Sequence, residues 1–305
     1  MFYDHKLIYD LDEDGFKLKD PKALKYLKLI VVDEASMVSK DILRHLLSFE
    51  NIKILFIGDN GQLPPVGEPT GLLDNPDFQL TQIHRQAEGN PIIHLSFLAR
   101  ERKRIEPGKY GKHALVLPKK ELPTSKMLDI AQRAEQVLCG YNRTRNQYNQ
   151  DIRYRLGYKS ELPEVGEKMI CLKNDWSKQA AGVSLVNGLT GYVKNIVKDA
   201  GKNEKVTRDC FMLEIQPDFS ENEFDCFNDL LVIKEQFKGK EVKLEKEEYG
   251  LYNVIDLAHC LTVHKSQGSS WDKVLVLNEV LNSQEHHKWL YTAITRARTS
   301  LILAI

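Results

Sequence analysis

The 305-residue chain has no net charge, since 43 Lys and Arg balance 43 Asp and Glu. It therefore lacks the global basic signature of a chain that coats nucleic acid, although a local basic track needs no basic total. The five cysteines (Cys139, Cys171, Cys210, Cys226 and Cys260) form no C-x-x-C pair. That excludes the usual zinc-ligand spacing and a disulfide framework, and it fits a reducing compartment. No apolar run nears the roughly 18 residues that cross a bilayer, and the first residues carry no signal-peptide pattern. The expectation is a soluble, cytoplasmic protein with no membrane partner. The string G-x-x-x-x-G-K-[ST] is also missing. The Gly-Lys pairs at 108–109, 111–112, 201–202 and 239–240 are followed by Tyr110, His113, Asn203 and Glu241. The Gly-rich cradle for β- and γ-phosphates is thus not spelled in these residues.

What is present is organised around residues 29–66. The length suggests two domains, and apolar content of 42% with 28% charged residues is ordinary for a globular chain. Two short apolar runs, Leu29–Val32 and Ile54–Ile57, each end abruptly at an acid, Asp33-Glu34 in one case and Gly58-Asp59 in the other. Such runs read as strands of a parallel sheet buried on both faces. Ligands of open α/β sheets sit just beyond the carboxyl ends of the strands, so both acids point into one crevice. Asp33-Glu34 has the Walker B form, in which the first acid holds Mg²⁺ and the second orients or deprotonates the attacking water. Gln62, one short loop past the second strand, is placed to reach a γ-phosphate. Alone, an apolar run ending in Asp-Glu also fits a plain strand end or a helix cap.

The string GDNGQLPPV (58–66), about 25 residues after DEAS (33–36), makes the pair specific. Here the chain resembles the superfamily 1 helicases, in particular the RecD-like, 5′-to-3′ branch (superfamily 1B), with these strings as motifs II and III. The resemblance implies that Asp33 holds Mg²⁺, that Glu34 is the catalytic base, and that Gln62 couples the γ-phosphate to bound DNA. It also implies that Gly58 and Asp59 join the nucleotide site and that Pro64 and Pro65 meet the single strand.

Taken in order, residues 1–20 read as a β-hairpin with turn chemistry at Asp12–Gly15. It is either an edge hairpin or, by the resemblance, the pin that splits a duplex, with Phe16 or Tyr9 stacking on the junction. Ser39–Phe49 has apolar residues at 42, 43, 46 and 47, a helical face that should pack across the two strands. A third strand is predicted at 78–83 and a helix from Asn90-Pro91. LTQIHRQ resembles motif IV, which implies that Arg85 contacts the γ-phosphate; His84 reads as structural. The basic stretch Arg100–Lys112 reads as a linker, either a solvated face or a DNA track.

Ala134–Cys139 reads as a strand. GYNRTRNQYNQDIRYRLGY (140–158) reads as a helix with Asn142, Arg143, Arg145, Asn146 and Asn149 near its start, where polar and basic groups attract phosphate. The resemblance places this segment at the start of a second RecA-like domain, with Asn142 and Arg143 near nucleic acid. Short strands at 164–171 and 185–193, a tight Asn187-Gly188 turn, and a Lys/Glu-rich helical piece near 233–248 suggest a small β insertion, similar to the SH3-like 2B domain of the family. TVHKSQGS (262–269) is nearly motif V, which implies that Thr262, His264, Lys265, Ser266 and Gln267 meet the DNA backbone and that Gly268 lies by the ATP site. Ser270 stands where the family commonly has a Glu associated with the ribose, which puts sugar recognition in doubt. WLYTAITRARTS (289–300) resembles motif VI, with Arg296 as the arginine finger.

The expected fold is α/β, with two RecA-like parallel-sheet domains, the first truncated. The expected boundaries are a hairpin at 1–28, domain 1A with linker at 29–112, domain 2A at 113–184 and 256–305, and the insertion at 185–255. The resemblance implies a Mg²⁺- and ATP-dependent DNA helicase moving 5′-to-3′ on single-stranded DNA and opening duplex junctions. ATP would lie between the domains, with Arg85 and Arg296 closing on its γ-phosphate. The setting implied is a bacterial or phage-infected cell, in recombination, repair or replication, with the chain itself similar to an exodeoxyribonuclease V subunit and partnered by its missing N-terminal segment or another recombination or replication subunit. With no P-loop, a fragment lacking its N-terminal segment is expected, because Asp33, Glu34, Gln62, Arg85 and Arg296 all remain. An unpaired sheet edge would then be left open to association. The alternatives are a DNA-binding or regulatory subunit without its own turnover, partnered by another subunit, and an RNA helicase of the same superfamily.

Overall fold

A computed structural model describes residues 9–12, 15–20, 24, 26–65, 69–80, 89–197, 206–238, 242–279 and 284–305. Two compact units emerge, one of Tyr3–Leu122 with Ser266–Ile305 and one of Pro123–Lys265. Residues 266–305, which motif order assigns to a second RecA-like domain, thus group with the first unit.

The first unit opens with the expected hairpin, β1 (Tyr9–Asp12) and β2 (Gly15–Leu18), paired antiparallel from Tyr9↔Leu18 to Asp12↔Gly15. Next come β3 (Leu29–Val32), α1 (Lys40–Leu47) and β4 (Lys53–Phe56). The β3–β4 pair is parallel, with Ile30 opposite Ile54 and Val32 opposite Phe56. Helix α1 starts where Ser39 Oγ accepts the Ile42 N–H at 3.4 Å, an N-cap that satisfies one orphan donor. Its apolar stripe lies on one face of the sheet, where Leu24, Ile30, Leu46 and Phe49 are buried with Ile42, Ile54 and Phe56 against them. Truncating a core leucine such as Leu46 removes about 2–5 kcal/mol.

The opposite face corrects the sequence reading. Leu29, Val31, Leu55 and Ile57 are each about half exposed (50%, 54%, 48% and 48%). The strands are well buried on one face only, because alternate side chains point away from α1 and stay about half open to solvent.

Helix α2 (Pro91–Arg100) begins as predicted, with Asn90 Oδ1 accepting the Ile92 N–H at 2.9 Å and proline in the first turn. The predicted 78–83 strand is not formed over 78–80, where Phe78 and Leu80 are fully exposed. Residues 81–83, His84 and Arg85 lie outside the described residues. The basic linker is partly structured. Its residues 108–110 form β5 (Gly108–Tyr110), antiparallel to β6 (Ala114–Leu117), and its charges pair locally as Lys103–Glu101 and Arg104–Glu106.

In the second unit, α3 (Thr124–Ala131), β7 (Gln136–Cys139) and α4 (Asn142–Leu156) precede a five-stranded antiparallel sheet. Its strands are β8 (Lys168–Cys171), β11 (Thr190–Val197), β12 (Cys210–Pro217), β13 (Phe227–Ile233) and β14 (Ile255–Leu257), in the order β13-β12-β11-β8-β14. A hairpin of β9 (Asp175–Ala180) and β10 (Val183–Leu185) joins it, and Met169, Leu185, Phe211, Leu213, Phe227 and Leu230 form the core. This sheet begins at Lys168, ahead of the 185–255 span read from sequence. The Asn187-Gly188 turn is present, with Gly188 at φ 91°. The Lys/Glu-rich piece is two 3₁₀ turns, Lys234–Lys238 and Lys246–Glu248. A short strand β15 (Cys260–Thr262) then pairs parallel with β7.

The chain returns to the first unit with β16 (Trp271–Leu277), α5 (His286–Ile294) and β17 (Ala297–Ala304). Strand β17 pairs parallel with both β16 and β6. All five cysteines are free, and four of them are buried. Among the described residues no helix is long and apolar enough to cross a membrane.

Candidate nucleotide and nucleic-acid site

Just past the strand ends, backbone hydrogen bonds draw motifs II and III together. The Ile57 N–H donates to the Val32 carbonyl and the Ala35 N–H to the Ile57 carbonyl, each at 2.8 Å. Asp33-Glu34 and Gly58-Asp59 therefore leave the same end of the β3–β4 pair. Gly58 is required by this closeness. A Cβ there would stand 2.7 Å from Leu73 Cδ1 and 3.0 Å from the amide nitrogens of both Ala35 and Ser36. Glu34 sits in the left-handed region at φ 52°, ψ 41°, a conformation that costs a non-glycine residue on the order of 1–3 kcal/mol. Its N–H donates to Asp33 Oδ1 at 2.7 Å.

Arg296 is buried in the same unit. Its Nε donates to the Thr292 carbonyl (3.1 Å), one terminal nitrogen to the Ser269 carbonyl (3.1 Å) and the other to Thr295 Oγ1 (3.1 Å). Burial pushes its pKa down, while the charges of Glu34, Tyr291 and Asp59 pull it back up. The candidate base and the candidate finger thus lie in one electrostatic environment.

Three buried polar atoms near these motifs, Ser36 Oγ, Gln62 Oε1 and Gln267 Oε1, have no hydrogen-bond partner among the described residues. A buried group left so loses about 1–3 kcal/mol. A polar ligand that satisfies it therefore binds with that advantage. The donor set also suits Mg²⁺, which takes one or two carboxylates along with phosphate oxygens and water, and needs no cluster of protein ligands. No group of three or more His, Cys, Asp or Glu side chains is assembled among the described residues.

The remaining sequence candidates divide by burial and partner. Pro64 and Pro65 are half-buried, directly after Leu63, whose carbonyl accepts from Gln267 Nε2 at 2.9 Å. Gln267, expected at the DNA backbone, donates an amide N–H to this carbonyl of motif III. Ser266 is fully buried, and Gly268 adopts φ 79°. In the second unit Thr262 is buried while His264 and Lys265 are half-buried; burial and then the Arg145 charge depress the Lys265 pKa. At the start of α4, Asn142, Arg143 and Asn146 are exposed, but Arg145 and Asn149 face inward. Arg145 pairs with Asp256 at 2.9 Å, and Asn149 bonds the backbone of Leu257 and Cys260. Both hold the fold together. Phe16 lies on β2, on the returning strand of the hairpin.

A family model for an AAA domain matches residues 5–116, and a model for the UvrD-like helicase C-terminal domain matches residues 257–304. The first takes in motifs II and III, the second motifs V and VI. The ATP-dependent RecD2 DNA helicase of Deinococcus radiodurans is 28% identical over 295 residues, covering 88% of this chain and 35% of that protein. The chain is thus similar to a RecD-like helicase over most of its length. It spans about a third of that curated relative. Among solved structures, Pif1 helicase from Candida albicans aligns with TM-score 0.54 at 18% identity, covering 93% of this chain and 73% of that one. Bacteroides Pif1 bound to single-stranded DNA aligns with TM-score 0.53 at 19% identity, covering 95% and 74%. These likenesses show the fold alone, which is RecA-like α/β.

Sequence reasoning missed three side chains that hold motif III: Tyr291, Thr292 and Arg100. Tyr291 and Thr292 stand within motif VI, where only Arg296 drew attention. Arg100, at the end of α2, reads in the sequence only as the start of the basic stretch.

Proposed function

We propose that the chain is the ATP-hydrolysing and strand-gripping part of a DNA helicase that moves 5′-to-3′ on single-stranded DNA. The observation that carries this reading is the parallel, in-register β3–β4 pair, which sets Asp33-Glu34 beside the Gly58–Gln62 turn with Arg296 within their electrostatic reach. Asp33 would hold Mg²⁺, which neutralises charge on the phosphate oxygens when bound. Glu34, fixed by its strained backbone, would take the proton of the attacking water. Gln62 and Arg296 would face the γ-phosphate, and Arg85 would join them. Gly268 would line the nucleotide. Pro64, Pro65, Asn142, Arg143, Thr262, His264 and Lys265 would face the strand, mainly through phosphate contacts. The hairpin of β1 and β2 would meet the duplex junction, and the antiparallel sheet would act as the SH3-like insertion between the parts of a second RecA-like domain.

What the relatives' names state agrees with this substrate class, since they include an ATP-dependent DNA helicase and a helicase bound to single-stranded DNA. Strand displacement separates the possibilities. Duplexes with a 5′ single-stranded tail should be opened and those with a 3′ tail should not. Single-stranded DNA should compete for the chain better than RNA of the same sequence. Opening from the 3′ tail alone would overturn the polarity, and preference for RNA would overturn the substrate.

A further inference from the structure

The turn that presents Gln62 is held by side chains the site does not otherwise use. Asp59 Oδ2 accepts the Tyr291 hydroxyl at 2.6 Å, and its Oδ1 accepts the Gly61 N–H at 2.9 Å. Arg100 stands 3.5 Å from the same carboxylate, donates to Asn60 Oδ1 at 3.1 Å, and lies over the Tyr291 ring 5.5 Å from its centroid. A Cβ at Gly61 would meet Asp59 Oδ1, Arg100 Nε and Tyr291 Cε1 at 3.1–3.2 Å, so the three side chains close around a glycine. The Gln62 N–H then donates to the Asp59 carbonyl at 3.1 Å, and the Leu63 N–H to Thr292 Oγ1 at 2.9 Å. Tyr291 and Thr292 sit on α5 less than two turns before Arg296, whose Nε bonds the Thr292 carbonyl.

We propose that Tyr291 and Arg100 are positioning residues that clamp the Asp59 carboxylate, and so fix Gln62 and Arg296 at a set spacing. Asp59 then belongs to this clamp and does not contact nucleotide. A carboxylate with a hydroxyl, a backbone N–H and a guanidinium already around it has little capacity left for a ligand. Because Thr292 receives Leu63 and supports Arg296, a shift of α5 is passed to motif III without slack. The proposal rests on the reading of Gln62 and Arg296 as γ-phosphate contacts.

The test uses the full 305-residue chain with Tyr291→Phe, which removes one hydroxyl and keeps the ring, and Arg100→Lys, which keeps charge but loses the fork. Gln62→Ala serves as the control for the reading of the site. Amide exchange over residues 58–65 is measured beside DNA-stimulated hydrolysis of Mg-ATP. Losing a hydrogen bond to a charged group should speed exchange of this turn about tenfold, with β3 and β4 unchanged. It should lower kcat about tenfold, with KM within about twofold of the parent. Arg100→Lys should lie between the parent and Tyr291→Phe. Unchanged exchange of the turn, or an equal rise throughout the unit, overturns the clamp. Hydrolysis unaffected by Gln62→Ala overturns the reading of the site, while the exchange measurement still judges the clamp.

Discussion

Gly58 and Tyr291 show what single atoms contribute here. A methyl group at position 58 has no room, because the backbone of motif II passes 3.0 Å from where it would stand. Gly58→Ala should therefore destabilise the first unit by about 1–3 kcal/mol and displace Glu34, as seen in a lower denaturation midpoint together with lost turnover. An alanine variant with parental stability would contradict this packing. Tyr291 gives a titration signature. Burial, and then its hydrogen bond to Asp59, raise the phenol from 10.0 to about 12. A pKa raised in the folded state gives a contribution that is intact below pH 10 and lost as pH climbs through 12. The side chains facing it are Asp59 and Arg100. Tyr291→Phe should thus lose stability less steeply than the parent over this range in alkaline denaturation; parallel curves would refute the shift. At this scale the sequence was legible where a residue's signal is local. Asp33, Glu34 and Gln62 stand out because acids and an amide follow β-branched runs. Arg100 and Tyr291 do not, since their partner Asp59 lies 232 residues from Tyr291 and no spacing rule connects them.

At the scale of elements, α4 binds the second unit together through an ion pair. Arg153 and Glu167 are both buried and bonded to one another, and Arg153 also reaches the carbonyls of Ser160 and Leu162 at 3.0 Å. Arg153→Met should remove about 3–5 kcal/mol, because it leaves the Glu167 charge uncompensated in the interior. Adding Glu167→Met should recover much of that loss, and chemical denaturation of the single and double variants measures it. A double variant as weak as the single one would count against this account. Sequence pattern found β3, β4, α1, α2 and β7, because each has its apolar or capping pattern within a few residues, while α4 was legible only as a polar, basic segment. It misread the burial of β3 and β4, since covering of a sheet face depends on elements far away in the chain. It also gave no means of separating Arg145 and Asn149 from Arg143 and Asn146. All four lie on a strongly polar helix, and only packing against β14 and β15 selects the inward pair.

At the scale of the whole molecule, the fold brings chemistry from both ends of the sequence into one unit. Residues 33–62 contribute the candidate carboxylates and amide, and residues 291–296 the proposed clamp and the candidate arginine. The motif order was legible in the sequence; the grouping of residues 266–305 with the first unit was not, because it depends on long-range pairing such as β17 with β6. The proposed function requires that this assembly turn over ATP in response to a DNA strand. The decisive measurement is Mg²⁺-dependent ATP hydrolysis by the 305-residue chain, with and without single-stranded DNA, beside Glu34→Gln. Hydrolysis should be stimulated by the strand and abolished in Glu34→Gln, with nucleotide binding kept. Hydrolysis that is the same in Glu34→Gln, or DNA binding that is indifferent to ATP with no turnover at all, would contradict it.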